Sequence, residues 1–133
     1  MKKLCITILA LIGLIFFAIY GKAQQTNQSQ INSVQVIQFH SEHRCITCKK
    51  IEKLVRSTLA NNFPTLSFSL VNVDDKKNEK MAEKFQATGT ALYLYNSKTG
   101  KKKDLTDFAF MKAGDEKKFE AELKKFIEEF IKS

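Results

Sequence analysis

The 133-residue chain is poor in residues that specify common sites: it has three cysteines, two histidines, five glycines, one proline and no tryptophan. It contains neither GxGxxG nor a Walker loop, which removes the usual sequence evidence for a dinucleotide, a flavin or a nucleoside triphosphate. Both histidines, His40 and His43, precede Cys45. No histidine therefore follows a later strand, where a cysteine hydrolase would need its partner base. The residues that remain as candidates for a chemical site are the histidines and cysteines between positions 40 and 50.

The first 23 residues have the organisation of an export signal. Two lysines precede an uncharged apolar run over residues 4–20, and residues 21–23 (Gly-Lys-Ala) provide a small-residue cleavage site. The run is only slightly short of a comfortable bilayer span, so an uncleaved segment could instead anchor the protein in the inner membrane. Residues 24–32 are polar and lack periodicity, which predicts a flexible linker. We therefore expect a bacterial, extracytoplasmic protein, in particular a periplasmic one, that contacts a membrane only through an uncleaved N-terminal segment.

The charge of the chain does not indicate a nucleic-acid partner. Cleavage after residue 23 removes three lysines and lowers the formal charge from +8 to +5. The remaining basic residues alternate with acids over residues 76–84 and 120–129, a pattern typical of solvated helix faces. The single purely basic run, residues 101–103, lies next to a predicted turn. We predict no nucleic-acid binding.

Hydrophobic periodicity after residue 32 predicts four strands and three helices in the order β-α-β-α-β-β-α. The strands are predicted at residues 33–39, 66–73, 91–95 and 101–108. The last two strands form a hairpin, because only a short turn separates them. The helices follow from three apolar stripes: Ile51, Leu54, Val55 and Leu59; Met81 and Phe85; and Phe119, Leu123, Phe126, Ile127 and Phe130.

This order of elements limits the topology of the sheet. The first βαβ unit needs a right-handed crossover and therefore parallel strands, whereas the hairpin adds antiparallel ones. Eleven phenylalanines supply apolar volume for one core. The sequence predicts one α/β domain over residues 33–133, with a mixed four-stranded sheet and helices on both faces.

The predicted export affects how many cysteines remain and whether they form a disulfide. Loss of Cys5 with the signal leaves only Cys45 and Cys48, in a compartment where disulfides persist. A bridge across two intervening residues closes too small a loop to restrain the unfolded chain much. A purely structural disulfide would therefore contribute little, which favours a chemical role for the pair.

The two cysteines are expected to have different roles. Cys45 is predicted at the N-terminus of the first helix, where the helix dipole favours a thiolate, and Arg44, His43 and Lys49 can tune that thiolate. Cys48 continues the inward apolar stripe and should be shielded. We predict that Cys45 is the nucleophile and that Cys48 is the resolving thiol.

A CxxC pair that directly follows the first strand of β-α-β-α-β-β-α resembles the thioredoxin fold over about residues 33–132. The string FHSEHRCITCKKIE is also similar to a narrower bacterial thioredoxin-like family, the ArsF type, commonly labelled a nitrophenyl-compound nitroreductase subunit. The resemblance implies thiol–disulfide exchange with protein thiols or disulfides, or with a dedicated redox partner. The redox-active disulfide would be the only cofactor. The label is compatible with these residues only as a thiol-based, electron-donating subunit.

The chain departs from thioredoxins at two places. Thioredoxins have a cis-proline just before the third strand. Here the corresponding residue is Thr90, in the predicted substrate loop Thr88-Gly89-Thr90. We expect the peptide bond before Thr90 to be trans. The first strand also lacks the buried acid of thioredoxins. Glu42 and Glu52 are the nearest acids that could replace it.

Two other functions remain open. His40, His43, Cys45 and Cys48 are ligand types that Zn²⁺ or Cu⁺ accepts, so the same segment could belong to a metal-binding or metal-delivery module. Structural zinc sites, however, usually draw ligand pairs from two separate chain segments. Alternatively, the chain could be an interaction domain of the same fold with an idle disulfide.

Overall fold

The structure, a computed structural model, describes residues 31–133. The predicted export signal or anchor, and residues 24–30 of the predicted linker, lie outside this part of the chain. Asn32–Ser133 forms one compact unit. Between residues 31 and 133, no helix is long and apolar enough to cross a membrane.

Four strands form one mixed sheet in the order β2-β1-β3-β4. They are β1 (Val34–His40), β2 (Ser67–Asn72), β3 (Ala91–Asn96) and β4 (Lys102–Asp104). β1 is parallel to β2 and antiparallel to β3, and β4 is antiparallel to β3. The predicted parallel pair and the predicted hairpin are both present.

Four α-helices of the described chain complete the fold. They are α1 (Ile46–Asn62), α2 (Glu79–Phe85), α3 (Thr106–Lys112) and α4 (Glu116–Lys132), with a single 3₁₀ turn at Lys76–Asn78 before α2. Helix α1 crosses from β1 to the parallel strand β2, and α1 packs against α4. The thioredoxin-like α/β architecture with a mixed four-stranded sheet is confirmed.

Strand β1 is buried on both faces because it is an inner strand of a sheet that helices cover on both sides. Ile37 and Phe39 point to the face covered by α2, where the Phe85 ring lies 5.3 Å from Phe39 and 5.2 Å from Tyr95 between centroids. Val36 and Gln38 alternate with them and face α1, since the Gln38 amide reaches the backbone of that helix. The end of β1 is thus held rigidly beneath the start of α1.

The predicted apolar stripes form the inner faces of the long helices. In α4 the residues Phe119, Leu123, Ile127 and Phe130 are buried, and in α1 the buried set includes Ile51, Leu54, Val55 and Leu59. Phe126 is half-buried and packs edge-on against Phe108, with ring centroids 5.2 Å apart. These stripes were readable from the sequence because a 3.6-residue period places such positions on one side of a helix.

The prediction of a fourth strand over residues 101–108 was wrong in its second half. β4 ends at Asp104, and the chain then forms the extra helix α3. The apolar residues Leu105, Ala109 and Ala113 are four apart and buried, as on one helix face. The Asp104 carboxylate accepts a hydrogen bond from Thr106 N at 2.8 Å, which holds the first turn.

The basic run over residues 101–103 is divided between the two faces of the sheet. Lys103 lies 4.4 Å from the centroid of Phe126, on the side of α4. Lys102 turns to the opposite side, where its ammonium group donates to the Lys84 carbonyl at 2.6 Å. Alternation along the short strand β4 separates these charges.

Candidate functional site

The cysteine pair lies at the carboxyl end of β1, where α1 begins. Cys45 and Cys48 form a disulfide with their Cα atoms 5.2 Å apart, within the usual range for a bridge. Cys45 is exposed, whereas Cys48 is 4% exposed in the first turn of the helix. The shielding of Cys48 agrees with its place on the inward stripe, and the sulfur accessible to a partner is that of Cys45.

Cys45 is the N-cap residue of α1. Its backbone is extended (φ −70°, ψ 164°), and its sulfur accepts a hydrogen bond from the Cys48 N–H at 3.1 Å. N-cap side chains are usually oxygen acceptors that satisfy a free N–H of the first turn, and here sulfur does so. Within the described helix α1, the first turn contains no acidic side chain. Both features favour a negative charge on Cys45 Sγ after reduction.

Cys48 is contacted from two other parts of the fold. Its sulfur lies 3.0 Å from the Thr90 hydroxyl, in the loop before β3. Its carbonyl accepts a hydrogen bond from the Gln38 amide at 2.9 Å. Sequence reasoning identified the loop residue but not its contact with the sulfur, and it missed Gln38 altogether.

Gln38 is fully buried on β1, at the end of the strand below the cysteines. Its Oε1 atom has no hydrogen-bond partner among the described residues. A signal for this residue exists in the sequence: Gln38 has the same alternation phase as Val34 and Val36, both inward-facing, and it is the polar member of that series. Strand β1 thus has the neutral amide of Gln38 as its buried polar side chain, and not the buried acid found in thioredoxins.

Arg44, predicted to tune the thiolate, is held by a carboxylate. Arg44 Nη2 lies 2.6 Å from Glu52 Oε2, and Arg56 Nε donates to Glu52 Oε1 at 2.8 Å. The Arg44 and Glu52 side chains are only 19% and 18% exposed. Because the one negative charge of Glu52 is shared between Arg44 and Arg56, it offsets part of their combined positive charge, and Arg44 contributes less to the field at Cys45 than a free cation would.

Glu52 and Glu42, considered as replacements for a buried acid, are both engaged elsewhere. Burial would raise the pKa of Glu52, but hydrogen bonds from Arg56 and Arg44, together with their charges, lower that pKa below its ordinary value. Glu42 is exposed and accepts from the Asn72 amide at 2.6 Å, which ties the loop after β1 to the end of β2. Neither contact directs a carboxyl group at the disulfide.

The predicted substrate loop forms one side of the site. Thr88 is exposed, and Thr90 is half-buried against Cys48. No peptide bond between described residues is cis, so the bond before Thr90 is trans, as expected. Gly89 does not have a positive φ, and a Cβ there would meet nothing within 4 Å, so the loop conformation does not require glycine.

The remaining predicted residues are His40, His43 and Lys49. His43 and Lys49 are exposed, and the Lys49 N–H donates to the Cys45 carbonyl at 3.2 Å. His40 is half-buried and its Nδ1 donates to the Ser41 carbonyl at 2.8 Å. Within residues 31–133, no three or more His, Cys, Asp or Glu side chains are grouped to hold a metal ion. The tuning, substrate-loop and metal roles of all these residues stay predictions.

No protein-family model matches the chain, and no curated protein matches it. Two solved structures are similar to it. The X-ray structure of Fasciola hepatica thioredoxin has 24% sequence identity, covers 64% of this chain and 77% of its own, and gives a TM-score of 0.43. A structure described as that of a malarial protein has 23% sequence identity, and the match covers 60% of this chain and 94% of that chain, with a TM-score of 0.42. The fold assignment rests on element order and strand pairing rather than on these similarities.

The ion pairs of Glu52 predict a pH-dependent contribution to stability. Because the folded-state pKa of Glu52 is lowered, its stabilisation is present above the unfolded-state pKa of about 4.3 and is lost as pH falls through the folded value. Glu52→Gln should lower the free energy of unfolding by about 1 kcal/mol at pH 7. The difference from wild type should shrink in acid. Urea unfolding at several pH values measures it, with the exposed Glu83→Gln as control; an effect independent of pH would contradict the assignment.

The buried amide of Gln38 predicts an opposite pH dependence for an introduced acid. In Gln38→Glu, only the protonated carboxyl can donate to the Cys48 carbonyl, and burial raises its pKa above the unfolded value. The variant should therefore be close to wild type near pH 4 and lose stability as pH rises toward 7. Urea unfolding of oxidised protein tests this, with Gln35→Glu, half-buried on the same strand, as control. Equal pH profiles for the two variants would show that Gln38 is not tightly enclosed.

Proposed function

We propose that the protein is an exported thiol–disulfide oxidoreductase that acts on protein thiols or disulfides through Cys45 and Cys48. The observation that carries the proposal is the contrast between the two sulfurs: Cys45 is exposed at a helix N-terminus, whereas Cys48 is 4% exposed. A partner thiolate can reach one sulfur while the other stays protected beside it. A thioredoxin-like fold with a CxxC-spaced pair suggests this class of chemistry.

The exchange needs two successive displacements at sulfur. A partner thiolate attacks Cys45 Sγ, the bond between Cys45 and Cys48 breaks, and the electron pair of that bond leaves on Cys48 Sγ. A second partner thiolate then attacks the mixed disulfide and releases Cys45. Two electrons have passed from the partner dithiol to the pair, and two protons follow through solvent. The reverse order oxidises a partner dithiol.

A dedicated partner is preferred over unfolded polypeptides in this proposal. The bond before Thr90 is trans, and a non-proline bond would need about 2.5–4 kcal/mol to become cis. The loop at Thr88-Gly89-Thr90 therefore offers an incoming chain a different backbone from that of a cis-proline loop. An electron-donating thiol subunit, the form that the ArsF-type resemblance suggests, is one function with a fixed partner. A periplasmic location, with the N-terminal segment cleaved or kept as an anchor, belongs to the same proposal.

The test is the reaction of reduced protein with glutathione disulfide, followed by intact-mass measurement. Wild type should end as the internal disulfide, with both glutathione molecules released. Cys48→Ser should stop at a mixed disulfide on Cys45, because no resolving thiol remains. Cys45→Ser should react about tenfold or more slowly, since a buried thiol is shielded from attack. Equal rates for the two variants would contradict the assigned roles, a faster reaction of Cys45→Ser would reverse them, and a wild type that forms no disulfide would refute exchange.

A second candidate function is metal binding through the reduced cysteines and His40. The hydrogen bond from His40 Nδ1 to the Ser41 carbonyl favours it, because metal-ligating histidines commonly donate their other ring N–H to a backbone carbonyl. That bond leaves Nε2 of His40 as the ring atom with a free lone pair. Zn²⁺ or Cu⁺ would be the fitting ions for such a set of sulfur and nitrogen ligands.

If exchange is the function, reduced protein should bind Zn²⁺ or Cu⁺ weakly and through the cysteines. Equilibrium dialysis should then give similar affinities for wild type and for His40→Ala/His43→Ala, and little binding for Cys45→Ser/Cys48→Ser. Tight binding by wild type that falls strongly in the histidine variant would place metal delivery first.

A further inference from the structure

Thr90 contacts the sulfur of the resolving cysteine directly. The distance between Thr90 Oγ1 and Cys48 Sγ is 3.0 Å. A sulfur in a disulfide carries no proton, so the hydroxyl is the donor and the sulfur is the acceptor. The two residues are 42 positions apart in the chain, and the docking of α1 beside the loop before β3 brings them together.

A negative charge on Cys48 Sγ is unfavourable unless a hydrogen-bond donor contacts the sulfur. The residue is 4% exposed, and its neighbours Ile51 and Val55 on the inward stripe are apolar. A thiolate at this position loses most of its hydration, which disfavours the charged form. Every exchange cycle nevertheless puts negative charge on this sulfur, because it is the leaving group when Cys45 is attacked.

The other hydrogen-bond donors identified near Cys48 are directed at other acceptors. The Gln38 amide donates to the Cys48 carbonyl, and the Cys48 N–H donates to Cys45 Sγ. On α1, Glu52 is shared between Arg44 and Arg56. The Thr90 hydroxyl is the donor that the described residues direct at this sulfur.

We propose that Thr90 is a catalytic residue whose hydroxyl stabilises the Cys48 thiolate during exchange, a role that rests on the function proposed above. When a partner thiolate attacks Cys45 Sγ, the new disulfide joins partner and Cys45, and the electron pair of the broken bond stays on Cys48 Sγ. The Thr90 O–H already points at that atom, so no group has to reorient as charge develops. In the reverse step the same bond holds the Cys48 thiolate beside the mixed disulfide that it attacks.

The experiment compares Thr90→Val, which removes the hydroxyl at nearly constant shape, with Thr90→Ser, which keeps it. The rate measured is reduction of the oxidised protein by dithiothreitol, a reductant too small to need a docking surface, read by quenched alkylation and mass. Loss of a hydrogen bond to a charged group should slow Thr90→Val about tenfold or more, and Thr90→Ser should stay within about threefold of wild type. Should Thr90→Val fail to fold, Thr90→Ala makes the same comparison.

A second comparison tests that the effect passes through Cys48. In a Cys48→Ser background, Thr90→Val should slow the formation of the mixed disulfide between Cys45 and glutathione far less than it slows reduction of the protein that retains Cys48. Equal rates for wild type and Thr90→Val, or a Thr90→Ser variant as slow as Thr90→Val, would overturn the proposal while wild-type exchange stands. A wild-type disulfide that does not exchange at all would instead refute the proposed function.

Discussion

The site depends on the residue at which α1 begins. Because Cys45 is the N-cap, its sulfur meets the free N–H groups of the first turn, and Cys48 falls three residues later on the inward stripe. A shift of the helix register by one residue would rotate Cys48 by about 100° around the helix axis and turn it away from the inward stripe. The Gln38 amide on the fully buried strand β1 binds the Cys48 carbonyl and opposes such a shift.

Neutral groups, rather than charges, contact the two sulfurs. A backbone N–H donates to Cys45 Sγ, and the Thr90 hydroxyl donates to Cys48 Sγ. The cation next in sequence, Arg44, is ion-paired with Glu52. Dipoles held at short range act strongly, above all at the buried Cys48, and salt screens them less than it screens exposed charges. Fixed dipoles can therefore stabilise charge on the two sulfurs, because the pair is held at the carboxyl end of β1.

Sequence reasoning found most of the fold because its signals were local and periodic. The alternation of β1 and the stripes of α1 and α4 survive in the structure with boundaries shifted by a few residues. The prediction was wrong at residues 105–108. The spacing of Leu105, Ala109 and Ala113 favours a helix, but the short turn after the third strand predicts a hairpin partner for it there. Tertiary packing of α3 against α1, α4 and β3 agrees with the helical period.

The sequence alone determined that one cysteine would lie at the exposed start of a helix and the other on its inner face, because Cys45 precedes the apolar stripe and Cys48 lies three residues before Ile51 on that stripe. It could not determine what each sulfur would meet. The contact of Gln38 with Cys48 spans ten residues and that of Thr90 spans 42, and both depend on how β1, β3 and α1 dock. Periodicity specifies which face of an element is buried, whereas only the packed fold specifies which polar atom lies opposite that face.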